Sequence, residues 1–79
     1  MSDILIVDDE RDIRELIGDI LEDEGFSVRL AANSEETMAA INAEPPGLLI
    51  LDIWLKDSRM DGIDILKTVK RDNPDVPVV

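Results

Sequence analysis

A chain of 79 residues with 19 acids against 8 bases carries a formal charge of −11, and it has room for one small domain only. That balance argues against nucleic acid or an anionic membrane as a partner for this segment, and suits cations or a basic protein surface. With 44% apolar residues a packed core is available, but there is no cysteine for disulfide or thiolate chemistry and no histidine, the commonest zinc ligand and general base.

The opening MSDILIVDDE has no basic start and no long apolar run, so no signal peptide is expected. No apolar stretch approaches the roughly 18 residues of a membrane span. Together with the missing cysteine this fits a cytoplasmic protein. Ile4 to Val7 is a short β-branched apolar run, the pattern of a strand buried on both faces in a parallel sheet. It ends in Asp8, Asp9 and Glu10. Ile13, Leu16, Ile17, Ile20 and Leu21 then recur at the spacing of one helical face, and Gly25 supplies a stop.

Phe26, Val28 and Leu30 alternate with Ser27 and Arg29, which reads as an edge strand with one polar side. Asn33 or Ser34 can cap a second helix, with Glu35 and Glu36 in its first turn and Met38 and Ile41 as a thin apolar stripe. Pro45-Pro46-Gly47 breaks that helix. Leu48 to Leu51 is a third strand, and it stops on Asp52. Asp61 can cap a third helix that turns Ile63, Leu66 and Val69 inward. Asn73-Pro74-Asp75 ends it, and Val76 to Val79 begins a fourth strand.

The order β-α-β-α-β-α-β implies an α/β fold, a parallel sheet with helices on both faces, because parallel neighbours need crossovers. A sheet that stops four residues into a strand reads as the N-terminal portion of a larger domain. In such sheets, sites form beyond the carboxyl ends of the strands, where strand order reverses. If the first and third strands are neighbours, Asp8, Asp9 and Asp52 converge. Carboxylates about 4.8 Å apart, the strand spacing, repel unless a cation intervenes. An all-oxygen cluster with waters suits magnesium or manganese, not zinc. Each acid alone could equally be a helix cap; the combination favours a metal site. An EF-hand from Asp57 fails because Arg59 and Thr68 fall on ligand positions. Walker-type and dinucleotide glycine loops are absent, and the adjacent acids lack the D-x-D spacing of haloacid-dehalogenase-type phosphatases.

Asp8-Asp9 after a first strand, LLILD ending at Asp52, and MDG at residues 60–62 resemble the receiver domain of bacterial two-component response regulators, over essentially the whole chain. The stretch LDIWLKDSRMDGIDIL is most similar to the NtrX-type nitrogen regulators. The resemblance implies a flavodoxin-like (CheY-like) doubly wound parallel sheet, here spanning residues 1–79 and truncated after the start of strand four. It implies Asp52 as phosphoacceptor, and Mg²⁺ held by Asp9 directly, by Asp8 through water, by Asp52 and by the backbone carbonyl of Trp54. It implies a sensor histidine kinase as partner, a signalling module rather than an enzyme, and transcriptional output through domains outside this chain.

Two features depart from the family. The loop after Asp52 has no proline and a longer path to Gly62; a tolerated surface insertion is the favoured reading, and the alternative is that Lys56 or Arg59 tunes access to the phosphoryl site. The Ser or Thr and the Lys that receivers carry at the ends of strands four and five have no counterpart before Val79, so phosphotransfer and switching are expected to be weak here. An open apolar edge and face also lead us to expect self-association. The rivals are a Mg²⁺-dependent phosphatase-like enzyme using Asp8 or Asp9, and a pseudo-receiver that only binds partners.

Overall fold

The computed structural model describes residues 3–51 and 62–79. Their elements are β1 (Ile4–Val7), α1 (Arg11–Asp23), β2 (Val28–Ala31), α2 (Ser34–Ala43), β3 (Leu48–Leu51) and α3 (Gly62–Asp72). The strands form one parallel sheet in the order β2-β1-β3. β2 is the expected edge strand, and β1 is fully buried between two partners. Beyond β3 the chain returns for a single parallel bridge, Leu49 to Val78, with Leu49 N donating to the Pro77 carbonyl and Val79 N to the Leu49 carbonyl. The incipient fourth strand thus lies beside β3.

Strand alternation divides the apolar residues between the two faces. Leu5, Val7, Ala31 and Leu49 face α2 and α3, where Ile41, Ile65, Val69 and Val76 complete the main core. Ile4 and Ile6 belong to the opposite face with Val28 and Leu30, the two side chains beneath Gly18 of α1. Helices therefore cover both faces. Burying each large apolar side chain contributes about 1.5–3 kcal/mol, so β1 supplies much of the driving force.

Helix ends follow their local chemistry. Gly25, at φ 94°, takes the left-handed conformation after α1, so that Gly25 N donates to the Glu22 carbonyl and Phe26 N to the Leu21 carbonyl. Asn33 caps α2 by accepting from Glu36 N at 2.9 Å, and the Glu36 carboxylate accepts in turn from Ala32 N. Three inward faces differ from the periodicity. On α1 only Gly18 is buried, while Ile13, Leu16 and Ile20 stay exposed, because the helix lies over β1 and β2 and its apolar arc is wider than that strip. On α2 the buried residues are Ser34, Thr37 and Ile41; the Thr37 hydroxyl donates to the Asn33 carbonyl at 2.7 Å, which satisfies it inside the core. On α3, Ile65 and Val69 are buried and Ile63 is 48% exposed, against the expectation that Ile63 turns inward.

Arg29 ties the amino edge of the sheet together. Its guanidinium pairs with the Asp3 carboxylate through both Nε and Nη2, and also donates to the carbonyls of Ala40 and Glu44 at the end of α2. The Asp3 carbonyl accepts from Gly47 N and Leu48 N, where β3 begins. Arg29 and Asp3 together thus join the start of β1, β2, the end of α2 and the approach to β3. Hydrogen bonds to charged groups contribute about 1.5–3 kcal/mol. Arg29→Met is therefore expected to lower urea-unfolding stability by about 2–3 kcal/mol, with Arg29→Lys recovering only part because an ammonium lacks the fork. A loss within error of zero for Arg29→Met would remove the clamp from this account.

Candidate functional site

Strand order reverses between β1 and β3, and their register pairs Val7 with Leu51. The chain therefore leaves both strands at the same level of the carboxyl edge, with Asp8 next after Val7 and Asp52 next after Leu51. This is the place where open parallel sheets carry their sites.

Asp8 and Asp9 are both half-buried, and Glu10 is exposed. Three hydrogen bonds hold Asp8. Its N–H donates to the Ala31 carbonyl at 3.2 Å and so extends the β1–β2 pairing by one residue. Its Oδ1 accepts from Glu10 N at 2.9 Å, closing a tight turn into α1. Its carbonyl accepts from Nη1 of Arg14 at 2.7 Å. Arg14 N in turn donates to the Glu10 carbonyl, the first helical bond of α1. Asp8 thus closes the turn before α1, whose N-cap is Glu10 with no side-chain cap bond; a carboxylate has about four lone-pair sites, and the Glu10 amide takes one. The remainder can serve a cation or its water shell.

Two adjacent carboxylates with only oxygen donors match a hard divalent ion rather than zinc. Among the described residues, no group of three or more acids is placed to hold a metal, so the pair needs a further ligand. The other site residues named from sequence, Asp52 and Trp54, lie outside the described residues, as do Lys56, Arg59 and the capping candidate Asp61. The acids Glu35 and Glu36 sit at the same edge in the first turn of α2, and Glu36 is used as a cap there.

Arg14 is the residue that sequence reasoning passed over. Helical periodicity grouped it with the solvent-facing charges of α1, whereas its side chain folds back onto the end of β1. The available signal was its place, six residues after Asp8 and in the second turn of the helix that follows.

Comparison with known proteins agrees with this geometry. Residues 4–79 match the family model described as "Response regulator receiver domain". The nitrogen assimilation regulatory protein NtrX of Azorhizobium caulinodans is 54% identical over 77 residues, which are 98% of this chain and 17% of that protein. A putative NtrX-like response regulator of Rickettsia bellii is 49% identical over the whole chain and 16% of its own length. The chain thus spans about a sixth of these curated relatives. Among solved structures, the receiver domain of NtrX from Brucella abortus superposes with a TM-score of 0.93 at 50% identity, covering 96% of this chain and 63% of that one. The response regulator TrrA of Thermotoga maritima, solved in complex with Mg(2+)-BeF, gives a TM-score of 0.89 at 32% identity, covering 99% and 66%. Among the described residues, no helix is long and apolar enough to cross a membrane. Fold, strand order, acidic edge and family match lead to one conclusion: this chain belongs to the response regulator receiver domain family, and is similar within it to NtrX receivers.

Proposed function

We propose that this chain is a phosphoacceptor module, taking a phosphoryl group on Asp52 from a sensor histidine kinase in the cytoplasm and passing the signal to transcriptional output domains of the NtrX type. The observation that carries this reading is the register of Val7 with Leu51, the residues that precede Asp8-Asp9 and Asp52 in the sequence. Asp9 and Asp52 would ligate Mg²⁺ with the Trp54 carbonyl, and Asp8 would hold one of its waters. Bound there, Mg²⁺ supplies neutralisation of the charge on the transferring phosphoryl group. The Asp52 carboxylate attacks phosphorus, the phosphorus–nitrogen bond to the donor histidine breaks, and an acyl phosphate forms while the electron pair returns to imidazole. A Thermotoga relative solved with Mg(2+)-BeF supports the choice of ion.

The direct test is exposure to a small-molecule phosphodonor with Mg²⁺, followed by intact-mass and peptide analysis. One phosphoryl group should appear on Asp52, at whatever rate, and none in Asp52→Asn. A label on Asp8 or Asp9 instead would replace this reading with the phosphatase-like one.

The two duties of Asp8 separate by substitution. Asp8→Asn and Asp8→Ala both remove the charge, but only asparagine keeps an oxygen for Glu10 N. In urea unfolding Asp8→Ala should be less stable than Asp8→Asn by about 1 kcal/mol, the net worth of one such hydrogen bond. Equal stabilities would show that the Asp8 turn contributes nothing to folding.

Self-association draws support from the exposed row Ile13, Leu16 and Ile20 on α1. Sedimentation at high concentration should reveal a dimer that Leu16→Lys disperses. Monomer throughout would discard this part of the proposal.

A further inference from the structure

We infer that Arg14 is a positioning residue for the cation site, an inference that rests on the Mg²⁺ reading of Asp8 and Asp9. The carbonyl of Asp8 lies in a planar peptide unit that also contains the Cα atoms of Asp8 and Asp9. Holding that oxygen therefore orients the backbone of both acids at once. Arg14 Nη1 donates to it at 2.7 Å from a half-buried position. The peptide units on either side are restrained by Asp8 N, which donates to the Ala31 carbonyl, and by Glu10 N, which donates to Asp8 Oδ1. Of these three restraints, the Arg14 bond alone is made by a side chain from farther along α1. It couples the rigid helix to the direction in which the acids leave the sheet.

A guanidinium beside a cation site has two effects of opposite sign. Its charge repels the incoming ion, so removing it would tighten Mg²⁺ binding. Its hydrogen bond pre-organises the ligands, so removing it would loosen binding. The bond runs to the Asp8 backbone carbonyl, so Arg14 itself takes up no carboxylate oxygen. Pre-organisation therefore outweighs repulsion. Groups that orient metal ligands commonly change affinity by about 10- to 100-fold when lost, and this site sits at the low end because two other bonds restrain Asp8.

The experiment is calorimetric titration of the folded chain with MgCl₂, comparing the parent, Arg14→Met, Arg14→Lys and Asp9→Asn. It is joined to amide NMR of Glu10 in the metal-free proteins. Arg14→Met should bind about tenfold more weakly, with Arg14→Lys between it and the parent. The Glu10 amide should shift before any metal is added, since the turn it closes has lost its brace. Unchanged Mg²⁺ affinity in Arg14→Met, even with lowered stability, would overturn the inference and leave Arg14 a structural residue. Tighter binding would overturn it in favour of charge repulsion. Should Arg14→Met fail to fold, the threefold or greater loss expected of Arg14→Lys decides the matter. A parent that binds no Mg²⁺, or an Asp9→Asn variant that binds as well as the parent, would sink the metal reading itself, and the Glu10 amide would still report whether Arg14 braces the loop.

Discussion

Everything in this fold depends on β1 being hydrogen-bonded in parallel on both sides. Parallel neighbours cannot be joined by a tight turn, so each strand must be followed by a helix that carries the chain back. All strands then end at the same edge of the sheet. β1 has no solvent face, which is why Ile4 to Val7 are all apolar and why its first polar residue, Asp8, comes where the strand leaves the sheet. The place of the acids follows from the pairing of the strands; no separate device is needed to bring them there.

The two edges of the sheet carry different kinds of polar group. At the amino edge, opposite charges are paired and largely shielded: the Asp3 and Arg29 side chains are 15% and 29% exposed. At the carboxyl edge, like charges stand side by side in Asp8, Asp9 and Glu10. Paired charges favour the folded state, whereas crowded like charges oppose it unless a cation joins them. The two edges thus differ in kind: one is closed by an ion pair, the other carries a run of acids. Arg14 belongs to neither pattern, since it brings a positive charge to the acidic edge and bonds to backbone there.

Much of this was legible in the sequence. A β-branched run before Asp8, alternation from Phe26 to Leu30, and an apolar run between Pro45-Pro46-Gly47 and Asp52 mark the three strands, and Gly25 and Asn33 mark helix ends, because these signals are local. Which residues face inward was harder. Periodicity identifies an apolar face but not how much of it the sheet can cover, so Ile13, Leu16 and Ile20 looked like core and are exposed. Ser34, a capping candidate by sequence, and Thr37 are both buried; a hydroxyl near a helix start can bond its own backbone, as Thr37 does. Arg29 falls on the polar side of its strand's alternation and Arg14 off the apolar face of α1. Their partners are a residue 26 positions earlier for the Asp3 pair and a backbone carbonyl for Arg14, and neither leaves a mark in residue spacing. Alternation of strands and helices points to a parallel sheet but not to its strand order; that β1 and β3 are neighbours comes from the structure.

The Arg29 clamp has a consequence for how this molecule tolerates change. Four-residue strands separate it from the acidic loop by about 13 Å. That exceeds the screening length of roughly 8 Å at physiological ionic strength. It also exceeds the separation of about 7–10 Å beyond which substitutions without shared partners act independently. Free-energy changes at one edge should therefore simply add to those at the other. The acidic loop can be rewritten residue by residue against a constant background, and each substitution keeps its own meaning.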